Sequence, residues 1–276
     1  MRRWLIIIGI LGFWAVMTAS LVRRWLLEVR PTYLPGTYRS VLTPERRNYQ
    51  TRMGIYIQSK SSFEKVGYTE TALFYSKDGT YSITNTTRVR APVMGLLERL
   101  AAFDLDTTAV IGQDQNLERL MVTLISPVVR AECRGHVISG KLVLRTRMGD
   151  EEETHEMALP SGHMVANGLS PLLALPPLRV GMRWSVAIVD PLTLQPSQVE
   201  IEVLRREPLY WEGEVWTTHV VEIRSDLMKA QAWVSPDGEV LKEKTLFGLT
   251  FIKERLPEVA GKGKEGEDAD PLNGPR

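Results

Sequence analysis

The sequence predicts a mainly β protein of the α+β class: a large curved antiparallel sheet covered by short helices and preceded by one transmembrane helix. Three observations lead to this reading. Apolar and polar residues alternate with period two through most of the chain, the pattern of strands with one face on a core. Asp-Gly turn signals separate several of these runs. Only two segments of the body, 93–102 and 169–175, carry helical spacing instead.

The N-terminal helix rests on the uninterrupted apolar run at residues 4–22, bracketed by Arg2 and Arg3 on one side and by Arg23 and Arg24 on the other. About 20 helical residues at ~1.5 Å each cross a hydrocarbon core of ~30 Å. Trp4 and Trp25 stand where interfacial aromatics sit. A cleavable signal peptide competes, with Thr18, Ala19 and Ser20 as small residues near its end, but the run exceeds the ~7 to 15 residues of an ordinary apolar signal region. The expectation is an uncleaved signal anchor. The flanking arginines are balanced, so orientation rests on the very short basic N-tail, which places the N-terminus in the cytoplasm and the body on the periplasmic or extracellular side.

The chain divides accordingly: anchor 1–25, juxtamembrane linker 26–36 with Pro31, Pro35 and Gly36, β-rich envelope-facing domain 37–256, and tail 257–276. The tail combines Gly, Pro and mixed charge with almost nothing to bury, so disorder is expected there.

Within the body, Leu120, Val122 and Leu124 share one strand face; so do Leu142, Leu144, Thr146 and Met148. Val199, Ile201 and Val203 form a third set, and Val215, Thr217, His219, Val221 and Ile223 a fourth. Lys77-Asp78-Gly79 and Pro236-Asp237-Gly238 predict tight hairpins, glycine supplying positive φ at low steric cost. The segment 93–102 gathers Met94, Leu97, Leu100 and Ala101 on one helical face, and 169–175 ends at Pro176-Pro177. Both are too short to stand alone in water and are expected to pack on the sheet.

Composition narrows the function. With 34 Lys+Arg against 33 Asp+Glu and a net charge of +1, no global field attracts nucleic acid, and none is expected as a partner. Cys133 is the single cysteine, so neither a disulfide within the chain nor a Cys-rich zinc site can form. Cys133 and His136 are three apart in a strand and point to opposite faces, which argues against a thiol–imidazole pair. His155 and His163 flank the acidic run at 150–153, which reads as a solvated hairpin tip between two strands. His219 lies on the apolar side of its strand, where a satisfied core histidine is expected. Asn85-Thr86-Thr87 matches a glycosylation acceptor. No phosphate loop, nucleophile elbow or HExxH motif occurs, so no catalytic, cofactor-binding or metal-binding residue is assigned and no cofactor is expected.

The stretch Ala232-Trp233-Val234-Ser235-Pro236-Asp237-Gly238-Glu239-Val240-Leu241-Lys242-Glu243, followed by Gly248-Leu249 and led into by Gly181, Met182, Arg183 and Trp184, resembles the last hairpin of uncharacterised bacterial envelope proteins. Their shape is similar to the lipoprotein-carrier and DUF3108-like families. The resemblance covers the last third of the body and implies a concave sheet able to hold something apolar. It transfers no functional residue, because the motif is a turn.

The sequence therefore points to a non-enzymatic, membrane-anchored envelope protein that binds an apolar ligand, a lipid or a partner protein on a curved sheet. Residues 4–22 meet the membrane, and Leu172 and Leu173 are candidate lid residues over the bound molecule. The alternatives are a structural subunit of an envelope complex and a membrane-tethered hydrolase with a dispersed site.

Overall fold

The computed structural model describes residues 48–58, 63–90, 102–159, 164–165, 175, 178–189, 196–225, 229–245 and 248–256. Among them fifteen strands form one sheet. In chain order these are β1 (Asn48–Gln58), β2 (Phe63–Tyr75), β3 (Tyr81–Val89), β4 (Phe103–Ile111), β5 (Leu117–Ile125), β6 (Arg130–Ile138), β7 (Lys141–Met148) and β8 (Glu151–Ala158). The second half contributes β9 (Met164–Val165), β10 (Arg183–Val189), β11 (Pro196–Trp211), β12 (Glu214–Arg224), β13 (Lys229–Val234), β14 (Val240–Thr245) and β15 (Leu249–Glu254).

The spatial order is β8-β7-β6-β5-β4-β3-β2-β1-β15-β14-β13-β12-β11-β10-β9. Each half is a meander, and the first and last strands join the halves by pairing antiparallel from Arg52↔Glu254 to Ile57↔Leu249. Only the two-residue β9 runs parallel to its neighbour. Because successive hairpins alternate ends, the described turns at 76–80, 112–116, 139–140, 212–213 and 235–239 share one end of the sheet with Asn48 and with residues 254–256. The turns at 126–129 and 149–150 lie at the other end.

The period-two pattern becomes an inside and an outside. In β3 and β4 every second residue is buried: Tyr81, Ile83, Asn85, Thr87 and Val89, then Phe103, Leu105, Thr107, Ala109 and Ile111. One inner row crosses from Val203 through Val221, Ala232, Glu243, Phe251, Ile55, Gly67 and Val89 to Phe103. Leu120, Val122 and Leu124, Leu142, Leu144 and Thr146, and Val199, Ile201 and Val203 lie on this side, which the curved sheet encloses, as do His219, Val221 and Ile223; Met148 at the end of its strand and Val215 and Thr217 toward the tip of theirs keep the same parity but are exposed. Register shifts at Ile55/Tyr56, Val110/Ile111, Val203/Arg205 and Trp233/Val234 each add local bend and twist.

The outer face is held by charge. Arg52 reaches Glu70 at 2.7 Å and Glu254 at 3.3 Å and lies 4.0 Å over the Tyr68 ring. Arg88 makes a paired contact with Asp106 at 2.9 and 3.0 Å. These pairs are partly solvated, so each contributes at most about 1 kcal/mol. Their arrangement across β15, β1, β2, β3 and β4 supports register, since a slip of one residue would turn these charges into the core.

The α+β class is corrected: the described residues form strands, turns and irregular connections, with no helix. The two expected helices, 93–102 and 169–175, fall almost wholly outside the described residues, where only Ala102, in a bend, and Leu175, in an irregular segment, are placed. The physical reason for the error is that strand length was underestimated. The alternation at 72–75 belongs to a thirteen-residue β2, and the run at 199–203 to a sixteen-residue β11. Bulges bend and twist these long strands, and Leu175 and Leu178, outside the strands, join the same buried core. The apolar run at 4–22 also lies outside the described residues, and no helix among the described residues is long and apolar enough to cross a membrane.

Both predicted hairpins are present with the same geometry. Ser76 N–H donates to Thr80 O at 2.9 Å and Gly79 N–H to Ser76 O at 3.1 Å; Ser235 N–H donates to Glu239 O at 2.8 Å and Gly238 N–H to Ser235 O at 3.0 Å. Gly79 and Gly238 have φ of 84° and 81°. A third copy at 112–116 puts Gln115 in the same place with φ of 64°.

Candidate functional site: the inner face of the sheet

Chemistry-bearing side chains on the inner face concentrate in one row. Thr51, Thr71, Asn85, Thr107, Val122, Cys133, Thr146 and Glu153 are consecutive cross-strand neighbours from β1 to β8. Alternation fixes the direction of those on β1 to β7, because each stands two residues from an inward apolar residue of its own strand; Glu153 on β8 follows from its pairing with Thr146. The Asn85 amide donates to Thr69 Oγ1 at 2.8 Å, Thr71 Oγ1 at 3.0 Å and Glu70 O at 3.2 Å. Thr87 Oγ1 donates to Asn85 Oδ1 at 3.0 Å and lies 2.9 Å from Thr69 Oγ1. Thr107, across β4 from Asn85, is 4% exposed, and its Oγ1 has no hydrogen-bond partner. Asn85 is itself buried, so the glycosylation motif is closed off in the folded chain.

Cys133 and His136 separate as expected: Cys133 faces inward opposite Val122, and His136 outward opposite Arg119 and Val143. Burial raises the thiol pKa, with the hydrogen bond to Thr146 opposing it, so the sulfur is a neutral thiol rather than a nucleophile. His219 faces inward and is buried, as read from its strand position. It is not fully satisfied: Arg206 Nε lies 3.4 Å from Nε2, and Nδ1 has no partner. Burial, then the charge of Arg206, lowers its pKa. His155 is exposed beside Glu153 at 3.0 Å, and His163 lies outside the described residues. The acidic run is only partly a tip: the turn is Gly149-Asp150, and Glu151, Glu152 and Glu153 belong to β8, paired with Met148, Arg147 and Thr146. Among the described residues no three His, Cys, Asp or Glu side chains come together as a metal site.

The inner face changes character along the sheet. Through β1 to β5 and β10 to β15 it is largely closed; Phe103, Leu105, Ile111, Leu117, Ile223 and Phe251 have essentially no exposed surface. Toward β8 it opens. Leu142 and Leu144 remain buried, Leu124 and Ala131 are half-buried, and Met148 at the end of the same face is 53% exposed. The strands β8 and β9 are the two ends of the sheet and share no ladder among the described residues. Leu172 and Leu173, the candidate lid, lie outside the described residues, although Leu175 and Leu178 beside them are buried and Leu175 N–H donates to Gly238 O at 3.2 Å.

Sequence reasoning missed the Asn85–threonine cluster and the buried carboxylate of Glu243. Period two assigned their faces, but Thr, Asn and Glu on an inner face look like register noise until both neighbouring strands are known. The identical parity of Thr69, Thr71, Asn85, Thr87 and Thr107 was the available signal.

No protein-family profile matches the chain, and no curated protein does. Among solved structures it is similar to a β-barrel-like protein of domain of unknown function DUF1849 from Brucella abortus, with 9% identity, a TM-score of 0.49, and coverage of 75% of this chain and 96% of that one. This match is to neither the lipoprotein-carrier nor the DUF3108-like families suggested by the Trp233 hairpin.

Proposed function

We propose that this chain is a membrane-anchored, non-enzymatic envelope protein whose curved sheet receives an apolar ligand, with lipid acyl chains as the favoured class. The observation that supports the reading is the gradient along the inner face, closed over most of the sheet and open at Leu124, Ala131 and Met148 beside β8, the end strand among the described residues. An apolar face exposed on the concave side of a sheet costs free energy in water and is a natural seat for an apolar guest. Photoreactive fatty acid added to the full-length chain in vesicles tests it. Labelling is expected on peptides carrying Leu124, Ala131 and Met148, and Met148→Asp should abolish it there without lowering the melting temperature. Label confined to residues 4–22 would overturn the proposal.

A structural subunit of an envelope complex is the second reading. It is favoured by the extent to which β1 to β5 and β10 to β15 already fill their own inner face. Carbonate washing of membranes tests the anchor that both readings share, since an uncleaved span at 4–22 keeps the full-length chain in the pellet.

A further inference from the structure

The β11–β12 hairpin is longer than its neighbours need. β13 pairs with β12 only up to His219↔Val234, and His219 faces Arg206 on β11, so residues 207–218 extend beyond it toward the end where the chain enters and leaves the sheet. The tip does not stand free. Trp211 Nε1 donates to Lys253 O at 2.8 Å, Glu212 pairs with Arg255, and Trp211 and Trp216 meet edge to face with centroids 5.8 Å apart. These contacts reach past β13 and β14 and fix the tip beside residues 253–255. One face of the tip is thereby occupied. The other carries Tyr210 and Val215, which are direct cross-strand partners and are 73% and 71% exposed, more than the other large apolar residues of the described chain. Beside this face the carboxylate of Glu212 pairs with Arg255, and the exposed Glu214, next to Val215, alternates to the opposite face of its strand, that of Trp216.

We propose that Tyr210 and Val215 rest in the interfacial zone of the bilayer to which residues 4–22 tether the chain, so that the body is docked on the membrane by this tip. The inference rests on the anchor reading and adds an orientation to it. Its support is where the chain leaves the described fold: Asn48 and residues 254–256 emerge at the same end as the tip, so the tether arrives on that side. About 25 residues separate the apolar run from Asn48, a reach of at most ~85 Å at ~3.3 Å per residue. Two side chains would not hold a free protein on lipid. Under a tether, which sets an effective concentration near millimolar, a weak interfacial contact suffices, and tyrosine is a residue that favours the headgroup boundary.

The test uses the full-length chain with Cys133→Ala, reconstituted in vesicles of phosphatidylethanolamine and phosphatidylglycerol. An environment-sensitive dye is attached at Val215→Cys in one sample and at Val128→Cys in another. Val128 is a fair control because it is 68% exposed in the turn at the opposite end of the sheet. Brominated acyl chains are expected to quench the dye at 215 at least several-fold more than at 128, and Tyr210→Ser should reduce that quenching without changing the melting temperature. Equal quenching at both positions, or none at 215 in a chain that survives carbonate washing, overturns the docking alone. Loss of the chain from the vesicles under carbonate overturns the anchor and the docking with it.

Discussion

Gly67 occupies an inner position on β2 between Ile55 and Val89, opposite the register shift in β1. A Cβ there would lie 2.1 Å from Arg88 O and 3.1 Å from Val89 Cα, both backbone atoms that cannot rotate away. Gly67→Ala should therefore destabilise by about 1 to 3 kcal/mol, the usual cost of overpacking, seen as a lower denaturation midpoint. Thr107→Val is expected to do the opposite. It removes a buried hydroxyl that has no partner and fills the same volume, so stability should rise by up to about 1 kcal/mol. His219 gives a pH signature. Its folded pKa is lowered by burial and by Arg206, so the unfolded chain binds the proton more readily. Its contribution is present above the unfolded value of about 6.5 and is lost as pH falls from there through the folded value. Wild type should lose stability across that window more steeply than His219→Gln, measured by urea unfolding at a series of pH values.

At the scale of elements, the three five-residue turns separate what sequence shows from what it hides. Lys77-Asp78-Gly79 and Pro236-Asp237-Gly238 were readable because glycine marks the position with positive φ. The turn at 112–116 was not, since Gln115 fills that position, and only the hydrogen bonds of Asp114 to the Asn116 N–H at 3.0 Å and to its amide at 2.8 Å declare it. Gly238→Val should cost about 1 to 2 kcal/mol by forcing a β-branched side chain to a φ of 81°, with no effect on any binding at the β6–β8 side. Face assignment was legible at Leu120, Leu142 and Val199 and their partners, which keep strict parity, but not along β12, where residues 218–223 are all buried and Val215 and Thr217 of the expected face are exposed. Strand length was not legible. β2 begins with Phe63 and Glu64, both exposed, and β11 continues through Glu207 and Pro208, which carry no apolar alternation. The lid assignment to Leu172 and Leu173 falls outside the described residues, while the open part of the inner face at Met148 was read only as one more buried position.

For the whole molecule, the edges govern behaviour. Among the described residues β8 ends the sheet and carries Glu151, Glu152, Glu153, His155 and Glu156, a charge density that opposes pairing with another sheet. Replacing Glu152, Glu153 and Glu156 with Thr together should leave the monomer folded yet promote association, detectable as a rise in mass by light scattering. At the centre, among the described strands, the β1–β15 ladder joins the two meanders. Arg52, Lys65 and Tyr56 gather on Glu254 at 3.3, 2.6 and 3.1 Å across and beside that junction. Burial pushes this carboxylate's pKa up, but the hydrogen bonds from Lys65 and Tyr56 and the charges of Lys65 and Arg52 hold it below its ordinary value.

That junction has a consequence for how the protein is made. A ribosome delivers β1 first and β15 last, so the central ladder cannot close until nearly two hundred intervening residues have emerged. Until then β1 offers a bare edge bearing Met53, Ile55 and Ile57, in a region whose contacts are otherwise local hairpins. A chain that ends before residue 249 would keep that edge of β1 exposed, together with the facing edge of β14.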